Sequence, residues 1–179
     1  MARVPYVDAI EGVSPPDLVA LYRDIAGLRG SVLNLNRALG NQPAALRAFM
    51  AMSRYIRDDA ELPANLRELA VLVVGYTLDA AYEIYHHVPA ARRAGVTEAQ
   101  LAAFPNWAAS DAFNPTERAV LAYADQVART HRADDATFAA LQAHLPTGQI
   151  VDLTLTIGWY HLCGAVLGAL AIETEDQTT

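Results

Sequence analysis

Apolar positions recur at steps of three and four through most of the chain, a spacing that predicts helices nearly throughout. The clearest stripe is Leu66, Leu69, Val73 and Tyr76. The pattern restarts after Asp79, a plausible N-cap, and stops at Gly95, placed as a C-cap would be. Upstream, Ser14-Pro15-Pro16-Asp17 reads as a helix start, with Ser14 as N-cap and Pro15 at the first helical position. That helix runs to about Leu28 with Leu18, Leu21, Tyr22 and Ile25 on one face, and Gly27, Gly30, Asn34 and Asn36 then break regularity. Gly40-Asn41-Gln42-Pro43 opens a helix over 44–57, with Leu46, Phe49, Met50 and Tyr55 or Ile56 facing in. Asp58, Asp59 and Pro63 punctuate the approach to residues 66–95. Beyond Gly95, Thr97 starts a short helix that Phe104-Pro105 stops. A loop over 106–114 follows, with Trp107 and Phe113 tucked under it. Asn114-Pro115 begins a helix to about His131, Asp134 or Asp135 caps one to His144, and 150–172 is long and apolar.

No strand alternation survives this reading. The chain is expected to be all-α, with seven to nine helices in one domain over 1–179, its core at 15–173 and an extended arm at 1–14. A weak internal echo sets Arg67-Glu68-Leu69-Ala70 against Glu117-Arg118-Ala119-Val120, each followed by a more apolar helix. The apolar stretch 150–172 is long enough to raise a membrane span. Asp152 and His161 interrupt it and Gly158, Gly164 and Gly168 loosen it, so a buried helix at the bundle centre or a subunit interface is expected, and no membrane.

Composition narrows the picture further. Of the 179 residues, 53% are hydrophobic and 18% charged, too apolar for disorder and rich for a small domain standing alone. A homo-oligomer is therefore expected. A net charge of −7 gives no reason to expect nucleic acid or an anionic membrane as partner. Cys163 is the one cysteine, so neither an intramolecular disulfide nor a Cys-x-x-Cys pair can form, and it reads as a small core residue. The N-terminus lacks the apolar run of a secretory signal, and a cytoplasmic location is expected.

Candidate chemistry gathers in residues 66–95. Glu83 and His87 lie four apart, so a helix puts them on one face, and His86 sits beside that face. Tyr82, Glu83, Tyr85, His86 and His87 stand among Ala and Val, where burial can move protonation equilibria. His87 and Glu83 are the leading catalytic candidates, with Glu68 beside Arg67 as the third. The plainer readings are a core histidine, an i,i+4 helix pair and a surface ion pair. Tyr82 and Tyr85 could donate to a substrate oxyanion, or simply be core aromatics. His86, Trp159 and His161 complete the candidate substrate-binding set, His161 being by default a satisfied core histidine. A metal site from Glu83, His86, His87 and His161 is not expected. Adjacent histidines diverge by about 100° on a helix, and the Glu83–His87 pair is one ligand short.

These residues also carry a resemblance. RELAVL, followed by YEIYHHVPAARRAGV, resembles the core motif of the carboxymuconolactone decarboxylase and alkylhydroperoxidase D superfamily. LTLTIGWYHLCGAVLGAL is similar to the C-terminal helix of that family. In the peroxidase branch a Cys-x-x-Cys stands at the positions of Ala80 and Glu83, while Glu68 and His87 match its glutamate and histidine. In the decarboxylase branch Glu and His stand where this chain has Glu83 and His87. The resemblance implies an alkylhydroperoxidase D-like bundle with a repeat-like arrangement of helices, assembled as a trimer or hexamer. It implies a cofactor-free acid–base decarboxylase or isomerase acting on a small lactone or keto-acid-like molecule, a carbon–carbon lyase. Two alternatives are a thiol peroxidase, disfavoured by the missing thiol pair, and a non-catalytic binding or scaffold protein on the same fold.

Overall fold

The computed structural model describes residues 1–177, and these hold nine α-helices and no strand. They divide into two compact units. One joins Met1–Tyr55 to the C-terminal stretch from Val166, and the other is Ile56–Ala165.

In the first unit, α1 (Pro16–Arg29), α2 (Asn34–Leu39) and α3 (Pro43–Arg54) enclose Leu18, Leu21, Tyr22, Ile25 and Leu46. Helix α1 begins one residue later than the sequence predicts. Pro15 takes the N-cap position, while the Ser14 hydroxyl accepts from Ile10 N–H at 2.9 Å. The Asn34–Asn36 stretch is helical, not irregular. The Asn36 side chain accepts from Leu33 N–H at 3.0 Å, and Glu175 and the Glu173 carbonyl take the donors of Asn34. Helix α3 ends at Arg54 and runs into a π-helical turn, Tyr55–Asp59.

The second unit is built on α4 (Ala64–Thr77), which packs against α5 (Ala81–Arg93) and α7 (Pro115–Thr130). Residues 68–75 of α4 are all buried. A helix that is apolar all round is a central one, so the stripe read from the sequence understates its burial. Between α4 and α5 the link is short. Asp79 takes a left-handed φ of 52° and Ala80 N–H bonds the Gly75 carbonyl at 2.8 Å. Asp79 thus turns the chain, and Ala80 takes the N-cap position expected of it. Gly75 lets α5 approach closely, because a Cβ there would lie 3.2 Å from Ile84 Cγ1. Pro89 is accommodated within α5, and Gly95 at φ 93° turns the chain after it.

Thr97, Asn114 and Asp134 cap α6 (Glu98–Ala103), α7 and α8 (Asp135–Gln142), each accepting a backbone N–H two or three positions into the helix. Part of the predicted loop is a 3-10 turn, Phe104–Ala109, and Phe113 is buried while Trp107 is half-buried. Helix α9 (Thr147–Leu170) has the length and composition to cross a membrane, and half of its most apolar window is buried inside the protein. Its Asp152 is buried and accepts the Glu61 backbone N–H at 2.8 Å. The same helix leaves Val151, Leu155 and Leu162 exposed.

Candidate active site

Glu68, Glu83 and His87 meet. Glu68 lies on α4, one turn in from its start, while Glu83 and His87 lie one turn apart on α5. The close α4–α5 packing directs all three inward, and each is buried to within 6% exposure. His87 Nδ1 stands 2.6 Å from Glu68 Oε2, and Nε2 stands 3.5 Å from Glu83 Oε2.

Two residues outside the candidate set read from the sequence complete the cluster, Arg57 and Tyr160, the second of them lying between the candidates Trp159 and His161. Arg57 comes from the π-helical turn. Its Nη2 donates to the Tyr160 hydroxyl at 2.9 Å and lies 3.3 Å from His87 Nε2. Tyr160, from α9, sets its ring edge-on to His87 with centroids 4.8 Å apart. Arg67 ties the arrangement together, donating to Glu68 Oε1 and to the Arg57 carbonyl, each at 3.3 Å. The π-turn matters because a wider turn breaks the register of α3 and re-aims the side chains that follow.

This network assigns the histidine tautomer. A guanidinium can only donate, so Nε2 must accept from Arg57 and carry a lone pair. The ring proton is then on Nδ1 and is donated to Glu68. Burial pushes the His87 pKa down, against the pull of Glu68, so the ring rests neutral. For Glu68, burial would push the pKa up, but the His87 hydrogen bond and the charges of Arg57 and Arg67 together hold it below the usual carboxylate range. Glu83 has no such support. Burial drives its pKa to about 7, opposed by Arg57 and reinforced by the charge on Glu68. The cluster therefore holds an oriented neutral base beside a carboxyl that still carries its proton near neutrality.

The other candidates fall elsewhere. His86 packs its ring on Tyr82, centroids 4.5 Å apart, and on Tyr85 at 5.0 Å, with Tyr82 buried and Tyr85 exposed. Trp159 is buried one residue before Tyr160. His161 sets its ring against His131 at 5.2 Å, and burial and that neighbour lower its pKa. Cys163 is buried, and its thiol is pushed up by burial and by Glu83. Among the described residues, no group of three or more His, Cys, Asp or Glu side chains is arranged to hold a metal ion. The lone pair of His87 already faces a guanidinium.

Sequence comparison adds a family to this geometry. Residues 43–126 match the carboxymuconolactone decarboxylase family, a span that takes in Arg57, Glu68, Glu83 and His87. That segment belongs to the family. The chain is 26% identical over 117 residues to the uncharacterized protein YdfG of Bacillus subtilis, covering 64% of this chain and 79% of that one. Two solved structures share the all-helical fold. An uncharacterized peroxidase-related protein from Silicibacter sp. TM1040 has a TM-score of 0.83 at 20% identity, over 97% of this chain and 91% of that one. An alkylhydroperoxidase AhpD core protein from Ralstonia eutropha JMP134 has a TM-score of 0.82 at 22% identity, over 98% and 93%. At these identities the likeness is one of fold.

Proposed function

We propose that the protein is an acid–base enzyme that decarboxylates or isomerises a small lactone or keto-acid-like molecule, with His87 as base and Glu83 as acid. The observation that carries this reading is the 2.6 Å contact between Glu68 and His87 Nδ1, which leaves the lone pair on Nε2, with Arg57 at 3.3 Å and Glu83 at 3.5 Å from that nitrogen. Loss of CO2 leaves an electron pair on a dienolate, which needs a proton on carbon. Protonated Glu83 supplies it, directly or through His87. In an isomerisation His87 Nε2 first takes a proton from carbon, and Glu83 returns one elsewhere. Glu68 stays ionised and stabilises the imidazolium formed in passing.

Thiol chemistry has little support. Ala80 and Glu83 stand where a thiol pair would be, and the Cys163 thiol is buried with a raised pKa, so it supplies little thiolate. A homo-oligomer is also part of this reading, supported by the exposed Val151, Leu155 and Leu162 on one helix.

The test is turnover of 4-carboxymuconolactone, followed as substrate loss and CO2 release, with wild type beside His87→Ala. Turnover that disappears in a folded His87→Ala protein supports the assignment. Turnover unchanged in that variant sinks it. If the wild type is inert, the substrate must be sought among other lactones and keto acids, and inertness towards all of them sinks the reaction proposed.

A further inference from the structure

We infer that Arg57 anchors a carboxylate of the substrate, and that this anion enters the cluster together with a proton held on Glu83. The inference rests on the acid–base reading above for which molecule is bound, and on geometry and charge balance for how.

Three observations carry it. First, Arg57 and Arg67 are the partly exposed members of a cluster whose Glu68, Glu83, His87 and Tyr160 are buried. Second, both hydrogen-bond contacts that the Arg57 guanidinium makes among the described residues go through Nη2, to Tyr160 and to His87. Its Nε and Nη1 donors remain for a ligand, and a planar carboxylate fits such a fork. Third, the alternative cations are committed elsewhere. Arg67 is tied to Glu68 and the Arg57 carbonyl, and Arg92 forms an exposed pair with Glu98 at 2.6 Å.

Charge then dictates the proton. With Glu83 ionised, the two acids balance the two guanidiniums around a neutral histidine. Adding a carboxylate would leave a buried net negative charge, which is costly. Protonating Glu83 restores neutrality, and it does so 3.5 Å from the base that the substrate will use. The groups around Glu83 are Arg57 on the π-turn, Glu68 and Arg67 on α4, His87 on its own helix, and Tyr160 and Cys163 on α9. Burial drives the Glu83 carboxyl to about 7, so it can hold that proton near neutral pH.

Calorimetric titration of the full chain with benzoate, with benzamide as the uncharged control, tests this without any turnover. Wild type should bind benzoate one to one and benzamide far more weakly. Affinity should fall by about tenfold per pH unit above about pH 7, as one proton is taken up with each anion. Arg57→Gln should weaken benzoate by tenfold or more, and Arg57→Lys by less, since it keeps the charge and loses the fork. Glu83→Gln should bind benzoate with no pH dependence between 6 and 8, a result that a merely structural role for Arg57 would not produce. The inference is overturned if benzoate fails to bind, if benzamide binds as well, if folded Arg57→Gln binds unchanged, or if Glu83→Gln keeps the wild-type pH slope. Should Arg57→Gln fail to fold, Arg57→Lys and the pH slope decide. Anion binding without decarboxylation of any lactone would sink the reaction and leave the anchor. Turnover that persists in Arg57→Gln would sink the anchor and leave the reaction.

Discussion

The second unit buries two glutamates at the positions of the internal echo, Glu68 on α4 and Glu117 on α7, and their surroundings differ in kind. Glu117 accepts from the Gln100 amide at 3.0 Å and from the Asn114 backbone N–H at 2.9 Å. Both donors are bound tightly to their own hydrogens and none can be passed on, so this carboxylate staples α6 to the start of α7. Glu68 faces an imidazole and two guanidiniums. An imidazole can gain and lose a proton, and its far nitrogen looks at a third carboxyl. Burial of a carboxylate is therefore no mark of a site by itself. What matters is whether its partner can titrate, and whether the partner's other end lies beside a second titrating group.

The largest effect should come from disabling the titrating partner. Glu68→Gln removes the charge that orients His87 and supports an imidazolium. Turnover should fall by about 10²–10⁴ with the fold retained by circular dichroism. Loss of the fold instead would make Glu68 a staple like Glu117. The converse change, Glu117→Ala, leaves the buried Gln100 amide and the Asn114 N–H short of an acceptor. It should cost about 1–3 kcal/mol in denaturant unfolding, with activity per folded molecule unchanged.

Next in size is the effect of Glu83 on stability. Its carboxyl titrates at 4.5 ordinarily and at about 7 in the fold, so folding takes up a proton between those values. Stability from this group is fully present below 4.5 and is lost as pH rises through the window. Glu83→Gln should therefore be more stable than wild type at pH 8 by about 1–3 kcal/mol, with the gain fading towards pH 5. An equal gain at both pH values would contradict the assignment of the titrating group. Smallest of all, Arg92→Ala should leave the melting temperature unchanged, because the Arg92–Glu98 pair is exposed. A measurable drop would show that surface pairs hold this fold as buried ones do.

Much of this was readable in the chain. The resemblance matched Glu68 to a site glutamate, whereas the α4–α5 pair, the caps at Thr97, Asn114 and Asp134, and the shared face of Glu83 and His87 follow from periodicity, local capping chemistry and i,i+4 spacing. Those signals act over a single turn of helix. What escaped depends on longer reach. Arg57 looked like the end of an ordinary helix, because nothing in Tyr55–Asp59 marks a π-turn that re-aims it. Tyr160 could not be told from its neighbours Trp159 and His161, since register on an apolar helix is set by what packs against it. Helix α2 was hidden for a similar reason. Its asparagines favour turns locally, and distant contacts from Glu173 and Glu175 satisfy Asn34. Asp79 looked like a cap because aspartate both caps helices and tolerates left-handed backbone, and the structure uses the second property.

The most direct test of the centre is the state of the His87 ring, read by nitrogen-15 correlation spectra of imidazole-labelled protein between pH 6 and 8. Wild type should show a neutral ring with its proton on Nδ1, shared with Glu68, and an unprotonated Nε2, with that preference lost in Glu68→Gln. A ring protonated at both nitrogens, or a proton on Nε2 in the wild type, would contradict it.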